Sequence, residues 1–274
     1  MQPDSLFVHN GVQALAAHAL PIFAAALLLV LTGVASLWWL LQRYGVYREA
    51  SRFAPLVYLA GHLLLGFLLI AGGAALFAEI AEHLGDGRKL GQLDTLFSNT
   101  VRTTVSMTTL QVFALLTHLG DPVTLTVLSV VVAAVLLQRR QLWLCAAWLL
   151  AVVGNAVLSK LLKSIFERAR PIHDHGLAFA DGWSFPSGHS SSSVVAFGML
   201  AYLTARFLPE RLAAWRLPVL MTAAALAFTV GCSRVFLQVH YASDVLAGFA
   251  AGTVWLAVCV SAVEVGRYRQ VRPL

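Results

Sequence analysis

A chain of 274 residues that is 59% hydrophobic and only 12% charged, with a mean hydropathy of +0.77, falls outside the composition of water-soluble domains. Its formal net charge of +6 does not point to nucleic acid, because the basic residues are spread over the ends of apolar segments and form no basic block. Cys145, Cys232 and Cys259 all fall within or at the end of such segments, where they suit packing and suggest no disulfide framework.

The leader, residues 1–19, carries no Lys or Arg and so lacks the basic region of a signal peptide; the apolar run 20–41 therefore reads as a membrane span. Further windows at 56–79, 122–137, 142–162, 189–208, 217–232 and 244–264 bring the spans to seven, the third and sixth being short for a hydrocarbon layer of about 30 Å. Alternating ten-residue strands are absent, so the expected fold is all-α, a polytopic transmembrane helix bundle. The expected division is an N-terminal segment, 1–55, with one additional helix, and a core at 56–274.

Residues 81–121 form the one long connection outside the spans. Within 94–119, Leu96, Phe97, Val101, Val105, Leu110, Val112, Phe113 and Leu116 alternate with Ser, Thr, Asn and Arg. The pattern predicts a helix lying in the membrane interface and shielding the bundle, stopped at Gly120 and restarted at Pro122. No Lys, Arg or Asp falls in the middle of a span, which speaks against a transporter; Asn155 and His62, which do lie within spans, are expected to bond neighbouring helices. The small-residue pattern Gly248 to Gly252 predicts tight packing of the last helix.

Placing the amino terminus outside leaves eleven of the nineteen basic residues at the cytoplasmic side, Arg139, Arg140, Arg206, Arg211 and Arg216 among them. Lys163, Arg168, Arg170 and Arg234 then gather at the outer ends of spans. Three stretches concentrate chemistry there. In "KSIFERARP", Lys163 and Arg170 are seven apart, a spacing that shares a helical face, while the residue before Pro171 is driven toward extended geometry. In "SFPSGHSSS", Ser187 suits a helix cap and Gly188 a close backbone approach, so the first amides and His189 make an anion site. In "SRVFLQVHYASD", His240 and Asp244 are four apart, so on a helix the carboxylate would fix the imidazole tautomer, and Arg234 supplies a planar fork suited to phosphate. The loop after Pro171 also holds His173, Asp174, His175 and Asp181, a possible but poor metal or headgroup site.

These stretches resemble the three-part signature of the type 2 phosphatidic acid phosphatase superfamily: K-x6-R-P at Lys163, Arg170 and Pro171; P-S-G-H at Pro186, Ser187, Gly188 and His189; S-R-x5-H-x3-D at Ser233, Arg234, His240 and Asp244. The resemblance covers roughly residues 142–264. It implies a six-helix core, exceeded here by one span, and a phosphatase site needing neither metal nor cofactor. It implies that His240, oriented by Asp244, attacks phosphorus; that His189 protonates the leaving alkoxide and then activates water; and that Lys163, Arg170, Arg234, Ser187 and Gly188 hold the phosphoryl oxygens. The expected partner is a lipid phosphate monoester or isoprenoid diphosphate in a bacterial inner membrane, with the site on the periplasmic face. Phosphotransfer to an acceptor other than water is the alternative for the same site; a non-catalytic membrane transporter is the alternative from another class. Oligomeric state is left open.

Overall fold

The computed structural model describes residues 3–43, 55–84, 88–172 and 176–271. Arg48, Arg52 and Arg272 of the cytoplasmic assignment, and His173, Asp174 and His175 of the histidine-rich loop, lie outside the described residues. Within them the chain forms ten α-helices and no strand: α1 Pro3–Ala17, α2 Ala19–Arg43, α3 Pro55–Glu82, α4 Lys89–Thr104, α5 Met107–Thr117, α6 Pro122–Gln138, α7 Leu142–Phe166, α8 Gly188–Phe207, α9 Arg216–Phe236 and α10 Ala242–Val271. Six helical runs are long and apolar enough to cross a bilayer: 19–43, 59–82, 107–138, 142–166, 210–236 and 242–269. The all-α membrane bundle is thus the observed architecture.

The seventh expected span is α8. Its 20 residues rise about 30 Å, enough to cross, but its first turns read Gly-His-Ser-Ser-Ser-Ser and dilute its hydropathy. The composition follows from its position. Helix α8 packs against α7, α9 and α10 at once, so protein rather than lipid surrounds it, and Ser190, Ser191, Val195, Met199 and Leu203 are all buried. Asn155 of α7 donates to Ser191 Oγ at 3.4 Å and to Ser192 Oγ at 3.0 Å, the interhelical role expected for it.

The interfacial helix expected over 94–119 is two helices. Val105 turns extended after α4, and Ser106, also extended, caps α5 by accepting the Thr109 amide at 3.2 Å. The amphipathic piece, α4, packs against α1 and α10, whereas α5 joins α6 through a 3-10 turn at His118–Gly120 in one apolar run. The periodicity was continuous across the break because both helices bury apolar side chains; only the hydroxyl cap marks the stop. Phe113 of α5 stacks on Phe236 of α9 at 4.2 Å, with Phe23 of α2 edge-on to both, which fixes α2 and α5 beside the C-terminal end of α9.

The small-residue pattern does bring α10 close. A Cβ on Gly248 would stand 2.5 Å from the Ser187 carbonyl oxygen and 2.8 Å from Ser190 Cβ; one on Gly252 would stand 2.8 Å from the Ser191 carbonyl oxygen. The start of α8 therefore rests directly on the α10 backbone. Gly248→Ala is expected to destabilise the fold by about 1–3 kcal/mol through overpacking. Gly72→Ala, on α3 with nothing within 4 Å of the added methyl, should be neutral or slightly stabilising. Thermal unfolding of both variants in detergent checks the contrast.

Candidate active site

One end of the bundle collects the chemistry. Helix α7 ends at Phe166 because Glu167 turns left-handed (φ 43°), its amide bonding back to the Lys163 carbonyl. Lys163 thus sits in the last turn, and Arg168 and Arg170 lie on the irregular chain beyond. The shared helical face expected for Lys163 and Arg170 does not exist; they converge because the following loop folds back. Trp183 supplies the meeting point, its carbonyl accepting from Lys163 Nζ at 2.8 Å and Arg170 Nη2 at 3.1 Å. The loop is pinned by Phe185, fully buried against Phe77 and Phe166, and by the Ser184 amide, which donates to the Arg168 carbonyl at 2.7 Å.

Ser187 caps α8 as expected, accepting from the Ser190 amide at 3.4 Å and the Ser190 hydroxyl at 2.8 Å. Its own amide donates to the Asp244 carbonyl at 2.9 Å, tying α8 to α10. The opening amides of α8 have no intrahelical acceptor, which makes this terminus electropositive. His189 is largely buried: only 18% of its side chain is exposed, and its Nε2 bonds Asp121 Oδ1 at 2.9 Å.

His240 and Asp244 do not share a helix, since α10 begins at Ala242, yet they meet. His240 Nδ1 lies 3.4 Å from Asp244 Oδ2 and 3.3 Å from Ser184 Oγ. Ser184 Oγ donates to the same carboxylate oxygen at 2.5 Å, and the Tyr241 amide donates to it at 2.9 Å. On the other ring nitrogen, Arg170 Nη1 donates to His240 Nε2 at 3.1 Å. A nitrogen that accepts carries no proton, so the ring is protonated at Nδ1, facing Asp244, and its Nε2 lone pair is available. Burial, the largest cause, outweighs the Asp244 hydrogen bond; with the Arg170 and Arg234 charges it pushes the His240 pKa down to about 3. The ring is neutral at ordinary pH, the state in which an imidazole can act as a nucleophile.

The cations divide by how many donors they have free. Arg170 spends all five N–H groups: Nε on the Gly182 carbonyl, Nη2 on those of Asp181 and Trp183, Nη1 on that of Val239 and on His240 Nε2. It can turn one donor to an anion at Nε2 and otherwise braces the loop. Lys163 commits one donor of three. Arg234 is 3% exposed, donates to Thr117 Oγ1 at 2.7 Å, and has a buried Nε with no hydrogen-bond partner among the described residues. It lies within electrostatic reach of both His189 and His240, as well as of Arg170 and Asp121.

Several members of the site were not legible in the motifs. Arg168 bridges two buried carboxylates, Asp244 Oδ1 at 2.7 Å and Asp94 Oδ2 at 2.8 Å, and its guanidinium stacks 4.2 Å over the Tyr241 ring. These two aspartates hold its pKa above the usual arginine range despite the opposing effect of burial. Asp94 of α4 also accepts from the Ser243 hydroxyl and from its amide at 3.2 Å. The helix expected merely to shield the bundle therefore anchors the carboxylate behind His240. The signal available in the sequence was an acidic residue among apolar and hydroxyl neighbours in a chain with only 13 acids, which demands a buried basic partner.

The PAP2 superfamily model matches residues 140–267, the span that holds α7, α8, α9 and most of α10. Phosphatidylglycerophosphatase B of Bacillus subtilis strain 168 is 36% identical over 137 residues, half of this chain and 66% of that protein. Decaprenylphosphoryl-5-phosphoribose phosphatase of Mycobacterium tuberculosis is 34% identical over 160 residues, 56% of this chain and 80% of that protein. The chain belongs to the PAP2 superfamily. A further relative, the lipid A 1-phosphatase of Rhizobium johnstonii, is 36% identical over 130 residues, and the chain spans 48% of its length. Among solved structures, the transmembrane PAP2-type phosphatidylglycerolphosphate phosphatase of Bacillus subtilis aligns with a TM-score of 0.65 and 27% identity, over 76% of this chain and 99% of that one. These relatives are all named phosphatases.

Proposed function

We propose that the chain is an integral membrane phosphatase that removes a terminal phosphate from a lipid phosphate monoester or isoprenoid diphosphate through a phosphohistidine. The observation that carries this reading is Arg234: a guanidinium 3% exposed, within electrostatic reach of His189 and His240 and with an Nε that has no partner among the described residues, is costly unless an anion completes it. His240 Nε2 attacks phosphorus while His189 protonates the departing alkoxide. Arg234, Lys163, the α8 amides and one donor of Arg170 hold the equatorial oxygens, where charge gathers in the transition state. The reaction then releases the phosphoryl group from His240 to water activated by His189.

Three cations supply the charge neutralisation that metal ions provide in other phosphatases, and the carboxylates lining the site are already engaged. Asp94 and Asp244 pair with Arg168, and Asp121 is shared by two histidines. We therefore propose chemistry without a metal. A lipid substrate is favoured by the rim: Ile172 and Phe179, 82% and 84% exposed, sit on the loop joining Arg170 to Ser184, placing apolar surface beside the cations. The described arginines assigned to the cytoplasm, such as Arg139, Arg140 and Arg211, lie in connections at the bundle end opposite the site, which supports a periplasmic site in an inner membrane.

Purified protein in detergent should release phosphate from short-chain phosphatidic acid, phosphatidylglycerol phosphate or a prenyl diphosphate at an unchanged rate when a chelator is added. Loss of release with chelator would overturn the metal-free chemistry. No release from any of the panel would overturn the phosphatase reading itself.

A further inference from the structure

His189 has a carboxylate of its own. Asp121, in the extended link between the 3-10 turn and α6, places Oδ1 2.9 Å from His189 Nε2 and Oδ2 2.6 Å from Nδ1 of the exposed His118. None of the three signature stretches contains Asp121; it comes from the link before α6, 68 residues before its partner. It is the N-cap residue of α6 by position, yet its side chain makes no capping bond, so its carboxylate is committed to the histidines. Both oxygens are held, which fixes its plane. Gly120 is part of the fit: a Cβ there would lie 3.2 Å from His189 Cδ2 and 3.0 Å from Ser193 Oγ. The Nε2–Cδ2 edge of the ring thus faces Gly120 and Asp121, and Nδ1 occupies the opposite edge.

We propose that Asp121 is a positioning residue for His189, holding a proton on Nε2 so that Nδ1 is the atom that exchanges protons with substrate and water. The inference rests on the proposed phosphatase reading and adds a second aspartate–histidine pair of opposite purpose to the first. Asp244 keeps His240 protonated at Nδ1 and bare at Nε2 for attack. Burial and the Arg234 and Lys163 charges oppose a protonated His189 ring, and Asp121 is the one charged group within reach, among the described residues, that favours the imidazolium formed when the ring takes up a second proton. As the bond from phosphorus to the alkoxide oxygen breaks and the bond to His240 Nε2 forms, the Nδ1 proton passes to that oxygen. In the second step neutral Nδ1 takes a proton from the attacking water as the phosphorus–nitrogen bond breaks. Asp121 stays a carboxylate throughout, hydrogen-bonded to Nε2–H.

The test separates this role from a structural one by leaving-group demand. An alkoxide needs a proton to depart; p-nitrophenolate does not. In Asp121→Asn, which retains a good N-cap residue, kcat/KM for short-chain phosphatidic acid should fall about 100-fold, while kcat/KM for p-nitrophenyl phosphate should fall less than about fivefold. Asp121→Glu should recover much of the lipid activity. Equal losses on both substrates, or no loss on either, would overturn the proposal. A second measurement needs no turnover: nitrogen-15 spectra of histidine-labelled wild type, with His189 assigned by comparison with His189→Gln, should show the neutral ring protonated at Nε2. Protonation at Nδ1 would overturn the pairing even if no phosphate ester were hydrolysed. If the wild type hydrolyses nothing but shows the Nε2–H ring, the phosphatase reading fails and the pairing survives.

Discussion

Replacing His240 by asparagine is expected to reduce phosphate release to background, a fall of about 10⁴-fold or more, because the proposed phosphohistidine can no longer form. His240 Nε2 is the nitrogen with an available lone pair, held toward the cations by the Nδ1 contact to Asp244. Asparagine keeps a polar group of similar reach inside a site where His240 is only 2% exposed, so the loss should be chemical and not a failure to fold. Wild-type protein quenched during turnover of phosphate-labelled substrate should carry label that is lost in acid and kept in alkali, as a phosphoramidate is. The asparagine variant should carry none. Substantial release by the variant, or label on a different residue, would refute His240 as the nucleophile.

The contrast between what the motifs disclosed and what they concealed follows from how far apart in the chain each partnership lies. His240 and Asp244 are four residues apart, and local spacing was enough to pair them even though His240 precedes its helix. Arg168 and Asp94 are 74 residues apart, Ser243 and Asp94 149, and His189 and Asp121 68. No periodicity carries such information; only the burial of an ion in an apolar bundle demands that it be paired. Helical-face reasoning failed for Lys163 and Arg170 because the helix ends between them at Glu167. The interfacial helix was misjudged for the opposite reason, an apolar rhythm running unbroken through a hydroxyl cap at Ser106. Helix α8 was legible as the window at 189–208 even though its serine-rich first turns dilute its hydropathy.

Asp244→Asn carries the other large effect, and the hydrogen-bond geometry dictates its direction. Asp244 Oδ2 accepts from Ser184, the Tyr241 amide and His240 Nδ1, and Oδ1 accepts from Arg168 Nη1. Asparagine offers one acceptor and one donor where four donors converge. With its oxygen toward His240, its NH2 meets the Arg168 guanidinium, donor against donor. With its NH2 toward His240, the imidazole must present a bare Nδ1 and move its proton to Nε2, where it collides with the Arg170 donor and surrenders the lone pair that attacks phosphorus. Either way kcat/KM should fall by about 10³- to 10⁴-fold, the scale seen when a histidine is forced into the wrong tautomer. The stability cost should be smaller than the roughly 3–5 kcal/mol of a fully broken buried ion pair, because Asp94 continues to neutralise Arg168. Removing that reserve exposes the coupling: Asp94→Asn together with Asp244→Asn should unfold far more readily than the two single effects would sum to, since Arg168 is then a buried charge with no counter-ion from either aspartate. Thermal unfolding of the double-mutant cycle measures this directly. Additive losses would mean that the two carboxylates do not share one guanidinium, and the bracing assigned to α4 would have to be abandoned.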